Sequence, residues 1–114
     1  MPPASSRIIL IGNDAALSYL IGRYAERSGY ELTLKPSVLS AEEVCDLQPA
    51  AVLFASMEQL EASQTLIGDL TNCEIPVLVC STVADETRAR EMGADLCLTP
   101  PLTYDCFMAA LQLQ

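Results

Sequence analysis

The sequence contains no histidine and no tryptophan, and only six of its 114 residues are lysine or arginine. The absence of histidine excludes imidazole metal ligands, histidine general bases and Ser-His-Asp or Cys-His catalysis. Fifteen acidic residues give a formal net charge of −9. Nucleic acid and anionic membranes both require clustered cations, so we expect neither as a partner.

Long apolar runs and paired cysteine motifs are also absent. No run approaches the ~18 apolar residues of a membrane helix, and the first six residues lack the charged start of a signal peptide. No CxxC motif is present, so neither a zinc site nor a dithiol redox motif is indicated. The cysteines are Cys45, Cys73, Cys80, Cys97 and Cys106. Their pattern predicts reduced thiols and a cytoplasmic location.

What the sequence does have is an apolar content of 51% in a length typical of one domain. We expect a single domain over residues 1–114, with 1–6 as a flexible lead. Five short apolar runs predict strands at 7–12, 31–35, 50–55, 76–81 and 95–99. The first, third and fourth are continuous, as in parallel strands buried on both faces.

Amphipathic segments fill the gaps between these strands and predict helices at 14–28, 41–47, 58–71, 84–92 and 104–113. Asp14 and Ser40 are the expected N-caps of the first two. Alternating strands and helices with short connections predict an α/β protein, a doubly wound parallel sheet with helices on both faces.

Ligands of such a sheet bind at the carboxyl ends of its strands. Residues 12–15 follow the first strand as Gly-Asn-Asp-Ala, and neither GxGxxG nor GxxxxGK[ST] occurs. A nucleotide site is therefore not indicated.

Four segments carry a family resemblance. They are 7–14 (RIILIGND), 48–55 (QPAAVLFA), 75–81 (IPVLVCS) and 91–101 (EMGADLCLTPP), the last matching the pattern GAD-x-x-x-x-K-P. Over about residues 7–113 the chain resembles the receiver domain of bacterial two-component response regulators. The resemblance implies a CheY-like, flavodoxin-like fold of five strands in the order 2-1-3-4-5.

Receiver chemistry uses two acids after the first strand, a phosphoacceptor Asp ending the third, and a Lys ending the fifth. The acids and the Asp bind Mg²⁺ through hard oxygen ligands. The resemblance places these positions on Gly12 and Asn13, on Ala55, and on Pro100. None of the four supplies the required carboxylate or ammonium group.

Three further receiver positions follow from the same alignment. The hydroxyl that ends the fourth strand is retained as Ser81, where it either meets an anion or bonds the neighbouring loop. The switch aromatic falls on Cys97. The family's cis-proline falls on Pro101.

The resemblance therefore implies a degenerate pseudo-receiver that is not an enzyme and has no metal site and no Mg²⁺ cofactor. We expect it to bind a protein, which is a kinase, an output domain or a second copy. The expected binding face consists of the helix predicted at 84–92, the strand at 95–99 and the helix at 104–113. One alternative is a receiver phosphorylated at a relocated acid, Asp14 or Glu58. Another is a small-ligand domain whose emptied site is a neutral, roomier pocket.

Overall fold

The structure, a computed structural model, describes residues 7–35, 40–99 and 102–112. The predicted flexible lead at 1–6 lies outside the described residues, as do Pro100 and Pro101.

The strands form one five-stranded parallel sheet in the order β2-β1-β3-β4-β5, which confirms the predicted topology. The central strands β1, β3 and β4 are almost wholly buried, as their continuous apolar runs predict. The edge strand β2, whose apolar and polar residues alternate, is only partly buried. The strands are β1 (Arg7–Ile11), β2 (Glu31–Lys35), β3 (Ala51–Phe54), β4 (Val77–Cys80) and β5 (Leu96–Leu98).

Helices connect the strands, and the first two begin at the predicted caps. Asp14 accepts a hydrogen bond from the Leu17 amide at 3.0 Å, and Ser40 accepts one from the Glu43 amide at 3.2 Å. The helices are α1 (Ala15–Ser28), α2 (Ala41–Leu47), α3 (Met57–Ala62), α4 (Gln64–Asn72), α5 (Glu86–Glu91) and α6 (Tyr104–Gln112).

Two apolar cores lie on opposite faces of the sheet. One contains Ile9, Val52 and Val79 from the strands and packs against α2, α3, α4 and α5. The other contains Leu53 and Leu78 and packs against α1 and α6. Alternate residues of each central strand thus enter alternate cores, which fixes the register of the sheet.

Two predicted helices differ from the observed ones. The helix predicted at 58–71 is broken at Ser63, whose backbone (φ −115°, ψ 22°) is not helical. Leu60 of α3 and Leu66 of α4 are both buried. The helix predicted at 84–92 begins instead as a 3₁₀ turn, Val83–Asp85, and continues as α5. Within the described ranges, no helix is long and apolar enough to cross a membrane.

Candidate functional site

The carboxyl ends of β1 and β3 bring two of the predicted site positions into contact. Gly12 and Ala55 each follow the last residue of a neighbouring strand, and the Ala55 amide donates to the Ile11 carbonyl at 2.9 Å. Gly12 itself is held by a hydrogen bond from its amide to the Lys35 carbonyl at 2.9 Å. The backbone of this edge is therefore pinned from both neighbouring strands.

Glycine is the residue that fits at position 12. Its φ is +143°, a conformation that L side chains rarely adopt, and an added Cβ would lie 2.4 Å from the Ala55 Cβ. The Gln59 side chain of α3 closes the same space, 3.6 Å from that added Cβ. The expectation of a roomier pocket is therefore wrong between Gly12 and Ala55, because the two residues are packed together.

Asn13 and Asp14 follow on the exposed surface. Asp14 is the one carboxylate in this segment, and its Oδ1 is bound to the Leu17 amide at the start of α1. A carboxylate in that position satisfies an otherwise unpaired helix amide and interacts favourably with the helix dipole. Asp14 thus has the structural role of an N-cap.

Ser81 bonds the neighbouring loop, which is one of the two interpretations that the sequence allowed. Its hydroxyl donates to Asp85 Oδ2 at 2.8 Å, and the Thr82 hydroxyl donates to the same oxygen at 3.3 Å. Asp85 was not among the residues predicted from the sequence. The spacing Thr82-x-x-Asp85, that of a helix-start motif, is the signal that could have found it.

Cys80 and Cys97 lie on the two neighbouring strands of this edge. Burial, the largest cause, raises the pKa of the Cys80 thiol to about 12. Burial followed by the charge of Glu86 also raises the pKa of Cys97 above its ordinary value. Both thiols are protonated at neutral pH, so neither is an activated nucleophile.

In the part of the chain that the structure describes, no group of three or more Cys, Asp or Glu side chains could hold a metal ion. The positions carried over for the lysine and the cis-proline, Pro100 and Pro101, lie outside the described residues.

A second surface of interest lies on the outer edge of the sheet, beside β5 and α6. A cavity of about 250 Å³ follows this edge, and its lining is mostly apolar. The lining residues are Leu96, Cys97, Leu98, Thr99, Cys106, Ala109 and Ala110. We call this feature the β5–α6 groove.

The sheet order and the helices on both faces define the class of the domain, the CheY-like receiver fold. Solved structures agree. A signal receiver domain from Bermanella marisrubri is 23% identical, with 95% of this chain and 96% of that chain covered and a TM-score of 0.75. An atypical orphan response regulator is 22% identical, with 94% and 92% covered and a TM-score of 0.72. The predicted resemblance to receiver domains is confirmed.

Among curated proteins, the chain is similar to the DNA-binding dual master transcriptional regulator RpaA of Synechocystis sp. (strain ATCC 27184 / PCC 6803 / Kazusa). The two are 25% identical, over 93% of this chain and 47% of RpaA. The chain thus spans about half the length of that relative. No family model matches the chain.

Proposed function

We propose that the chain is a receiver-type signalling module that carries out no phosphoryl transfer and acts by binding a protein. It is not an enzyme and uses no Mg²⁺. The protein that it binds is a kinase, an output domain or a second copy of itself.

The contact between Gly12 and Ala55 is the observation that carries this proposal. Phosphoryl transfer to a receiver needs a carboxylate nucleophile, with further carboxylates to hold the metal that neutralises the developing charge. Here the two strand ends are packed against each other without either group, and position 12 has no space for a side chain. Both the residue types and the backbone conformation at position 12 are therefore incompatible with the acidic site of a phosphorylatable receiver.

The acids that remain nearby do not replace the missing ones. Asp14 is bound at the start of α1, and Asp85 accepts hydrogen bonds from Ser81 and Thr82. Glu58 is exposed in the first turn of α3, where the helix dipole favours a carboxylate. These roles are structural, so they do not favour a relocated phosphoacceptor.

The comparisons support a mode of action without phosphate. For the atypical orphan response regulator, the reported regulatory mechanism is independent of phosphorylation. We propose the same type of regulation here, because Cys97 stands at the switch position and Ser81 is tied to Asp85. A module of this kind responds to a partner that binds its conformations with unequal affinity.

Melting in the presence of Mg²⁺ and beryllium fluoride, a mimic of the phosphoryl group, tests this proposal. A ligand at one hundred times its dissociation constant stabilises a folded protein by about 2.7 kcal/mol, which is a Tm shift on the order of 10 °C for a domain of this size. We expect no shift for this chain and a clear shift for a phosphorylatable receiver domain run beside it. A comparable shift in this chain would overturn the proposal.

The β5–α6 groove is the surface we propose for a protein contact. Ala109 is exposed on α6 and lines the groove, whereas Ala16 is also exposed but lies on α1. Light scattering at two concentrations tests self-association of the wild type, Ala109→Glu and the matched control Ala16→Glu. We expect a mass that rises with concentration and is reduced by Ala109→Glu alone; a concentration-independent monomer would exclude the second copy as partner.

A further inference from the structure

Two cysteines meet at the opposite end of the molecule, the amino edge of the sheet. Cys45 lies in the last turn of α2, and Cys73 directly follows α4. Both helices run back from the carboxyl edge, so their last turns lie where β3 and β4 begin. The two Sγ atoms are 2.8 Å apart, although 28 positions separate the residues in the sequence.

This thiol pair is accessible from solvent. Cys73 is exposed and Cys45 is partly exposed. Both line a cavity of about 460 Å³, together with Gln48, Pro49, Glu74 and Ile75. A small oxidant can therefore reach the sulfur atoms without unfolding the domain.

The distance between the sulfur atoms is close to that of a covalent bond. A disulfide has an S–S length of about 2.05 Å, so bond formation needs the atoms to move together by less than about 1 Å. Because α2 and α4 pack against each other in the same core, the two cysteines are held beside each other in the folded domain.

We propose that Cys45 and Cys73 are a redox modification site, at which a low-molecular-weight disulfide such as oxidised glutathione converts the two thiols into a reversible disulfide. The bond would join the end of α2 to the end of α4. It forms no part of the vestigial receiver site, and the proposal is independent of the proposed function.

The reaction is two thiol–disulfide exchanges. The Cys73 thiol, the more exposed, loses its proton to water and attacks one glutathione sulfur; the glutathione disulfide breaks and one glutathione thiolate leaves. Cys45, once deprotonated, then attacks the Cys73 sulfur of the mixed disulfide and expels the second glutathione. The sum is two protein thiols and one oxidised glutathione giving one protein disulfide and two reduced glutathiones.

The environment of Cys45 suits it to the second step. The hydrogen bond with Cys73, the largest cause, raises the pKa of Cys45 to about 11, with burial and the negative charges of Asp46 and Asp69 adding to it. Cys45 is thus a weak nucleophile while Cys73 is free. The more exposed Cys73 is therefore the residue that reacts first.

Peptide mapping of the full chain after incubation with oxidised glutathione, followed by alkylation of free thiols, tests the proposal. We expect a Cys45–Cys73 cross-linked peptide that dithiothreitol reverses. Cys106→Ser is the matched control, because Cys106 is also exposed, and it should leave the cross-link unchanged. In Cys45→Ser we expect glutathione to remain attached at Cys73.

Two results would overturn the proposal. One is glutathione attached singly at Cys45 or Cys73 in the wild type, with no cross-link. The other is a cross-link of either residue to Cys106 in place of the Cys45–Cys73 bond. A melting temperature that is higher for the oxidised wild type, and unchanged for oxidant-treated Cys73→Ser, confirms that the native fold accommodates the bond.

Discussion

The carboxyl ends and the amino ends of the strands differ in which reactive side chains lie there. At the carboxyl edge, where this fold places its ligands, Gly12 and Ala55 are packed together and the Ser81 hydroxyl is bound to Asp85. At the amino edge, two accessible thiols are in contact. A fold determines which positions lie close together, whereas the side chains at those positions determine the chemistry. A domain can therefore keep the fold of its family and lose the family's chemistry at the carboxyl edge.

The largest expected effect comes from restoring an acid at the carboxyl edge. Gly12→Asp introduces a side chain at a φ of +143° and against the Ala55 Cβ. Backbone strain and overpacking together should lower the free energy of unfolding by about 2–5 kcal/mol, measured by urea denaturation. Asn13→Asp, the exposed neighbour, should change it by less than about 0.5 kcal/mol. Equal effects of the two variants would refute the close packing.

The next effect belongs to the amino edge. A bond between residues 28 positions apart should stabilise the domain by about 3.5 kcal/mol, chiefly through the unfolded chain, and raise Tm by on the order of 10 °C. Differential scanning calorimetry of the oxidised and reduced wild type measures it, with Cys73→Ser as control. A lower Tm for the oxidised form would mean that the bond distorts α2 or α4.

A smaller effect is expected for the retained receiver hydroxyl. Ser81→Ala removes the 2.8 Å hydrogen bond to Asp85 and should cost about 1–2 kcal/mol in unfolding free energy. Thr82→Val removes the longer, exposed bond of 3.3 Å to the same oxygen and should cost less than about 0.5 kcal/mol. If Ser81→Ala lowers the free energy of unfolding no more than Thr82→Val does, the bond of Ser81 to Asp85 does not stabilise the fold. The account of the carboxyl edge as a structural rather than a reactive site would then be weaker.

The smallest effect is a change in thiol reactivity. Cys73→Ala removes the hydrogen bond that raises the pKa of Cys45, so the thiolate fraction of Cys45 at pH 8 should increase and its alkylation should become roughly threefold to tenfold faster. Timed alkylation with mass detection measures this. Cys80, whose pKa burial raises to about 12, should be unreactive in both proteins. An unchanged rate at Cys45 would show that Cys73 does not control it.

Much of the fold could be predicted from the sequence, because its signals are local. Continuous apolar runs identify β1, β3 and β4, and the N-caps Asp14 and Ser40 predict the starts of α1 and α2. The break at Ser63 was not predicted, because the apolar positions of 58–71 fit one continuous helix and carry no local signal for the break.

The resemblance to receiver domains placed the site positions on Gly12, Ala55 and Ser81. The direct packing of Gly12 on Ala55 could not be predicted, because it depends on the path of the backbone. The meeting of Cys45 and Cys73 is a long-range contact between two helix ends, and no spacing motif encodes it.

The most direct test of the central claim is the intact mass of the wild-type protein after incubation with a small acyl phosphate and Mg²⁺, beside a phosphorylatable receiver domain as positive control. The packed carboxyl edge predicts an unchanged mass for this chain while the control gains one phosphoryl group. A phosphoryl adduct that maps to Asp14, Glu58 or Asp85 would contradict the account.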